Sequence, residues 1–221
     1  YKRQDDIQWL NFFQKYNQLK NISELSNWQS ADEKAVVNRS LNSNNLPQVS
    51  IPLISLYSLN LDNNNLENVS FMSLINEIRE DFSIKNNKLI DLKGFDNVQK
   101  VNNLNLSGNL LETLNGLNLQ KAAIIDLTLN NNLIDISNLE SIEEAQKVIV
   151  DNPAQYTIKP NANSTFCQQA LAGNIIISQN NFKDINAENI CPTHHSTELN
   201  QIFFETIDHM DCYYDPMSIL R

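Results

Sequence analysis

Val101-Asn102-Asn103-Leu104-Asn105-Leu106-Ser107-Gly108-Asn109-Leu110-Leu111 is the stretch that decides the fold. It puts Leu at 104 and 106, Asn at 109 and Leu at 111. Leu-x-Leu is period-two patterning, so both leucines of the pair face one side of a short strand. The Asn three residues later falls in the turn that ends the strand. Its side-chain amide carries two donors and an acceptor for backbone groups that stacking would hide from water.

Working outward, the same pattern recurs. Leu56-x-x-Leu59-x-Leu61-x-x-Asn64-x-Leu66 precedes it, and Phe82-x-Ile84-x-x-Asn87-x-Leu89 lies between. Ile124-x-x-Leu127-x-Leu129 follows, with Asn131 or Asn132 in the Asn slot. First strand positions at 59, 82, 104 and 127 give a period of 22 to 23. Val148 and Val150 form a weaker unit, Ile175 and Ile177 another, and Leu41, Asn44 and Leu46 a degenerate first copy. One such unit cannot bury its apolar face alone, so neighbours must stack on it in a parallel sheet with strands about 4.8 Å apart.

Leu-x-x-Leu-x-Leu-x-x-Asn-x-Leu, continued by apolar residues every third position (Leu111, Leu114, Leu117), resembles the leucine-rich repeat family. The short repeat is similar to the internalin-like and SDS22-like class, found in bacterial and eukaryotic proteins respectively. The resemblance covers about residues 53–153. It implies an α/β leucine-rich repeat solenoid with a parallel β-sheet on the concave face, a helical N-terminal cap and an irregular C-terminal cap. The organisation expected is an N-terminal cap over 1–38, repeats over 39–153 and a C-terminal cap over 154–221. Asn64, Asn87, Asn109 and Asn132 are expected to form a ladder along the stack.

For the N-terminal cap, Asp5-Asp6 reads as a helix start, with Trp9, Phe12, Phe13, Tyr16 and Leu19 at helical spacing. Ser30-x-x-Glu33 reads as a capping box before a short helix through Val37. A second capping box, Ser137-x-x-Glu140, introduces Ile142 to Ala145. Pro153 and Pro160 then interrupt the pattern.

The chain has 221 residues, a net charge of -10 and 36 Asn against 4 Gly. An acidic balance argues against nucleic acid as the main partner, because phosphate binding needs a basic surface. The longest apolar run is only a few residues, too short for a transmembrane helix. Tyr1 in first place reads as a processed or trimmed start. The Asn excess leans toward an AT-rich bacterial genome. With so much Asn, chance explains most of the five Asn-x-Ser/Thr sequons, at Asn21, Asn38, Asn68, Asn105 and Asn163.

Three cysteines, Cys167, Cys191 and Cys212, are spaced 24 and 21 apart, close to one repeat. Residues one period apart are neighbours in stacked coils, which favours a Cys167–Cys191 disulfide and, with it, an oxidising compartment. Cys191–Cys212 is the alternative pairing. Cys191-x-x-His194 with His209-x-x-Cys212 is a third reading, a tetrahedral zinc site that suits an intracellular protein.

There is no Gly-rich phosphate loop, no Gly-x-Ser-x-Gly and no His-Glu-x-x-His, so no enzyme activity and no cofactor are expected. Cys191 with His195 lacks any group to orient the pair for catalysis, and Glu143-Glu144 and Asp5-Asp6 read as solvated helix faces rather than paired catalytic carboxylates. The outward strand positions read as three columns. The central one is Asn60, Ser83, Asn105, Thr128 and Ile149. Asp62, Lys85, Ser107, Asn130 and Asp151 follow it, and Ser58, Asp81, Asn103, Asp126 and Lys147 precede it. The first two columns up to residue 130 are the candidate partner-binding surface. The helical cap, or the C-terminal region with Phe203, Phe204, Tyr213 and Tyr214, is the other candidate.

Function then reads as a non-enzymatic protein-binding module of a secreted or surface bacterial protein, serving adhesion or cell recognition. The alternatives are an intracellular effector or scaffold with a zinc-stapled cap, the recognition domain of a larger enzyme, and a surface-filament subunit lacking its anchor helix.

Overall fold

The structure is a computed structural model that describes residues 10–13, 37–49, 55–180 and 183–193. Eight strands form one all-parallel sheet, an α/β-like arrangement with few helices. In spatial order they are β1 (Leu10–Phe13), β2 (Val37–Ser40), β4 (Ser58–Asn60), β6 (Asp81–Ser83), β7 (Asn103–Asn105), β8 (Ile124–Asp126), β9 (Lys147–Val150) and β10 (Ile176–Gln179). β3 (Ser55–Leu56) and β5 (Glu77–Ile78) pair separately. Each strand of the main sheet therefore lies beside its predecessor and successor in the chain.

Register aligns Leu59, Phe82, Leu104, Ile125, Val148 and Ile177 in one inward column. All six are at most 2% exposed. Leu61, Ile84, Leu106, Leu127 and Val150 form the second inward column. On the return path the apolar residues fall at every third position, as Leu89, Leu92, Phe95 and Val98 do, and all are buried. Each such side chain contributes on the order of 1.5–3 kcal/mol by leaving water. Phe82 and Phe95 stack across the interior with ring centroids 5.6 Å apart.

The fourth unit sits two residues earlier than the sequence reading placed it. Ile125 and Leu127 are the inward pair, and Leu129 is 53% exposed with φ +57°. A slip of two keeps side chains on the same face of a strand, so alternation does not detect it.

The N-terminal reading is also corrected. Leu10–Phe13 and Val37–Ser40 are strands rather than parts of helices, paired in parallel from Leu10↔Val37 to Phe13↔Ser40. Phe and Val are strand formers, and a neighbouring strand meets backbone hydrogen bonds that an isolated short helix would leave to water. Trp9, Tyr16, Leu19 and the Ser30/Glu33 pair lie outside the described residues. At the second predicted capping box, a 3-10 turn spans Ser137–Ser141 without a side-chain cap from Ser137. Asp135 takes that part: its Oδ1 accepts from Ser137 N at 2.9 Å and Ser137 Oγ at 2.7 Å.

The one described α-helix, α1 (Thr165–Leu171), starts at Ser164, whose Oγ accepts from Cys167 N at 3.2 Å. β10 is closed on its outer side by residues 183–185, where Gln179 N donates to Lys183 O and Ile185 N to Ile177 O. Cys167 and Cys191 form a disulfide with Cα atoms 5.5 Å apart. This is the pairing that spacing favoured.

Candidate functional site

The strand-end asparagines are the most regular polar feature. Asn109 Nδ2 donates to Leu106 O at 2.9 Å and, across to the preceding repeat, to Ile84 O at 3.1 Å. Its Oδ1 accepts from Leu89 N at 3.2 Å. Asn64 and Asn87 repeat this scheme, and both are buried. In the fourth unit the rung is Asn130, fully buried, bonding Leu127 O, Leu106 O and Leu111 N. The expected Asn132 is exposed and takes no part in the ladder. Asn44 opens the series, donating to Leu41 O at 2.8 Å.

This assignment removes Asn130 from the candidate binding face. The outward columns are now set by register. Asn60, Ser83, Asn105, Asp126, Ile149 and Ser178 stand in line. Asp81, Asn103, Ile124, Lys147 and Ile176 form the column before it. Thr128 therefore moves beside Ser107 rather than beside Asn105.

The column of Asp62, Lys85, Ser107 and Thr128 is largely internal. Asp62, Ser107 and Thr128 are 5–7% exposed. Asp62 Oδ1 accepts from Ser83 Oγ at 2.5 Å and Lys85 N at 2.9 Å, and its Oδ2 faces Lys85 Nζ at 3.8 Å. Asn105 Oδ1 accepts from Ser107 N and Oγ at 3.0 and 2.7 Å. Asp126 Oδ1 does the same for Thr128 N and Oγ1, and Asn60 Oδ1 accepts from Asp62 N at 3.0 Å. Asp62, Ser107 and Thr128 are taken up at the strand ends, so the face open to solvent is narrower than the expected one. It consists of Asn60, Ser83 and Asn105 with Asp81, Asn103 and Asp126.

The corrected register adds apolar positions that the sequence reading missed. Ile124 is 37% and Ile176 44% exposed, flanking Lys147 in one outward column. Lys147 Nζ lies 3.7 Å from Asp184. The sheet face thus changes from polar at β4–β7 to mixed aliphatic and charged at β8–β10. The signal that could have found this was Asn130 at three residues after Leu127, matching Asn109 after Leu106.

An open groove of about 560 Å³ runs along the lead-in to the strands. Glu77, Lys100, Lys121 and Glu144 cross it in line through parallel bridges, and Lys121 pairs with Glu144. Its lining sets Glu77, Glu143 and Glu144 against Arg79, Lys100 and Lys121, so the two signs balance and give the groove no preference for a charged ligand. Glu143 and Glu144 are both exposed. Beside the groove's Arg79, Tyr57 hydroxyl donates to Glu80 at 3.4 Å, and desolvation followed by the Glu80 charge raises its pKa.

Among the described residues no three His, Cys, Asp or Glu side chains gather as metal ligands. The sulfur of Cys191 is committed to Cys167. His194, His195, His209, Cys212 and the aromatic residues 203–214 lie outside the described residues. No described helix is long and apolar enough to cross a membrane. No family model, curated protein or solved structure matches the chain.

Proposed function

We propose that this chain is a leucine-rich repeat protein of the short-repeat class, working outside the cytoplasm as a non-enzymatic protein-binding module. The repeat reading is supported by a buried Asn at the ends of β4, β6, β7 and β8, each bonded to its own and the preceding repeat. The extracellular reading is supported by a fully buried disulfide, a linkage that persists in oxidising compartments.

The observation that carries the binding reading is the outward sheet face. Its side chains project in register from successive strands, and no described segment covers them at β6 and β7. A rigid parallel sheet holds these positions in fixed relation, so a partner meets a surface that needs no ordering on binding. Polar Asn and Ser beside exposed Ile124 and Ile176 suit a protein partner with mixed polar and aliphatic contacts.

The test uses a photo-reactive residue at Ser83, on the sheet face, or at Glu112, on the return path. Each variant is applied to surface extracts of the cells that make the protein. Discrete protein adducts from Ser83 and none from Glu112 are expected. Adducts from Glu112 alone, or from neither position, overturn the assignment of this face.

A further inference from the structure

Two sequons are set apart from the rest by their placement. Asn68-Val69-Ser70 lies on the return path after Leu66, with Asn68 and Ser70 exposed and Val69 buried. Asn68 Oδ1 accepts from Ser70 N at 3.1 Å and Ser70 Oγ at 2.7 Å. Both bonds hold the carboxamide by its oxygen. They leave Nδ2, which has no partner among the described residues, directed to solvent. Asn163-Ser164-Thr165 leads into α1, with Ser164 at its N-cap and Asn163 and Thr165 exposed. The Asn163 side-chain amide also has no partner among the described residues.

We propose that Asn68 and Asn163 carry N-linked oligosaccharides. The inference rests on the extracellular reading above, because an Asn-x-Ser/Thr acceptor is used on secreted surfaces. Nδ2 attacks the anomeric carbon of a lipid-pyrophosphate-linked oligosaccharide. The new bond is Nδ2–C1; the C1–O bond to pyrophosphate breaks and takes the electron pair, and one amide proton is lost to a base of the transferase.

The other two described sequons stand within strands of the main sheet. Asn105-Leu106-Ser107 has similar internal bonds, but Asn105 stands within β7 between Ser83 and Asp126, and Ser107 is 7% exposed. A glycan there would rise from the middle of the sheet face. Asn38 lies inside β2, paired on both sides. Asn21 lies outside the described residues. Glycans at 68 and 163 leave the sheet face clear for the partner, so the two assignments are compatible.

The test is made on protein purified from the cells that produce it. One portion is alkylated with and without reductant to read the disulfide. Another is treated with peptide N-glycosidase in heavy-oxygen water, which converts a glycosylated Asn to labelled Asp, and its peptides are sequenced by mass spectrometry. Label at Asn68 and Asn163 with Asn105 unlabelled is the result expected. A disulfide-bonded protein with Asn68 and Asn163 unlabelled overturns the glycan assignment and leaves the extracellular reading standing. Label at Asn105 overturns the geometric selection. Free Cys167 and Cys191 with no label overturn both readings.

Discussion

Asn109 satisfies three backbone groups that stacking removes from water: Ile84 O, Leu106 O and Leu89 N. Replacing it with Ala leaves Leu89 N without its acceptor in a site 3% exposed, a cost of about 1–3 kcal/mol, while Ile84 O and Leu106 O keep Asn87 and Asn130 as donors. Asn109→Ala should therefore lower stability by about 1–3 kcal/mol in urea denaturation. Asn132→Ala, at an exposed position, should stay within about 0.5 kcal/mol of the parent. Equal losses at the two sites would refute Asn130 as the fourth rung. The residue before each rung is left-handed: Ser43, Asn63, Asn86, Gly108 and Leu129 have φ between +55° and +67°. Leu is the poorest fit in that set: any Cβ meets the following carbonyl in this conformation, at roughly 1–2 kcal/mol, and Leu has no short polar side chain to offset it by a local hydrogen bond. Leu129→Asn should raise the urea midpoint, with a gain of about 1 kcal/mol. This left-handed column explains why the fourth unit was misread. Leu127 and Leu129 imitate the Leu pair, and three consecutive Asn, at 130–132, offer a rung to either register. Only the backbone separates them.

At the scale of elements, the return path carries a second polar repeat. Asn68 Oδ1, Asp91 Oδ1, Thr113 Oγ1 and Asp135 Oδ1 each accept from the backbone N–H two residues on. They follow the buried Leu66, Leu89, Leu111 and Leu133 by two, so the signal was present as Leu-x-[Asn/Asp/Thr] and could have been read. Strand positions β4 to β7 were legible because Leu-x-Leu and Asn recur without interruption. β1 was not, because Phe12 and Phe13 fit a helical stripe as well as a strand, and pairing with β2 decides between them. At Gly94 and Gly116 a Cβ would meet the backbone of the preceding repeat. Gly116 has φ +100°, and a Cβ there would sit 2.2 Å from Leu92 O. The clash is with backbone, so neither rotamer change nor side-chain motion relieves it. Gly116→Ala should cost more than about 2 kcal/mol and should lower the thermal midpoint. A change within about 0.5 kcal/mol would mean that the repeats separate more easily than this packing allows.

At the scale of the whole molecule, the Asn ladder has a direction. Every rung from Asn64 to Asn130 bonds back to the preceding repeat, so each repeat is fastened by its successor. After Asn130 the equivalent slot holds Pro153, which offers no side-chain amide. Gln155 closes the series, its Nε2 donating to Leu133 O at 2.9 Å and Asn130 O at 3.1 Å. Next to it Tyr156 occupies a core position, 3% exposed, and burial pushes its phenol pKa well above the ordinary value. The unfolded chain releases that proton near pH 10, while the folded chain keeps it. Its contribution is complete below pH 10 and is lost as pH climbs toward the raised folded value. Tyr156→Phe should flatten the alkaline part of the stability curve, as measured by urea midpoints from about pH 9 to 11.

Beyond Gln155 the fastening changes from amides to sulfur. α1 packs on the Ser137–Ser141 turn and on residues 187–189, and Cys167–Cys191 ties those pieces together across 24 residues. Closing a loop of that size is worth about 3 kcal/mol, chiefly by restricting the unfolded chain. The described strands of the main sheet make most of their contacts with their sheet neighbours, so loss of this tie should not spread evenly. Reduction should raise amide exchange in residues 163–191 and, to a lesser degree, in β9, while β4–β7 keep their protection. Hydrogen exchange read by mass spectrometry, with and without reductant, resolves these segments. A uniform loss of protection across the sheet would show that the molecule unfolds as one unit, and that the terminal tie governs all of it.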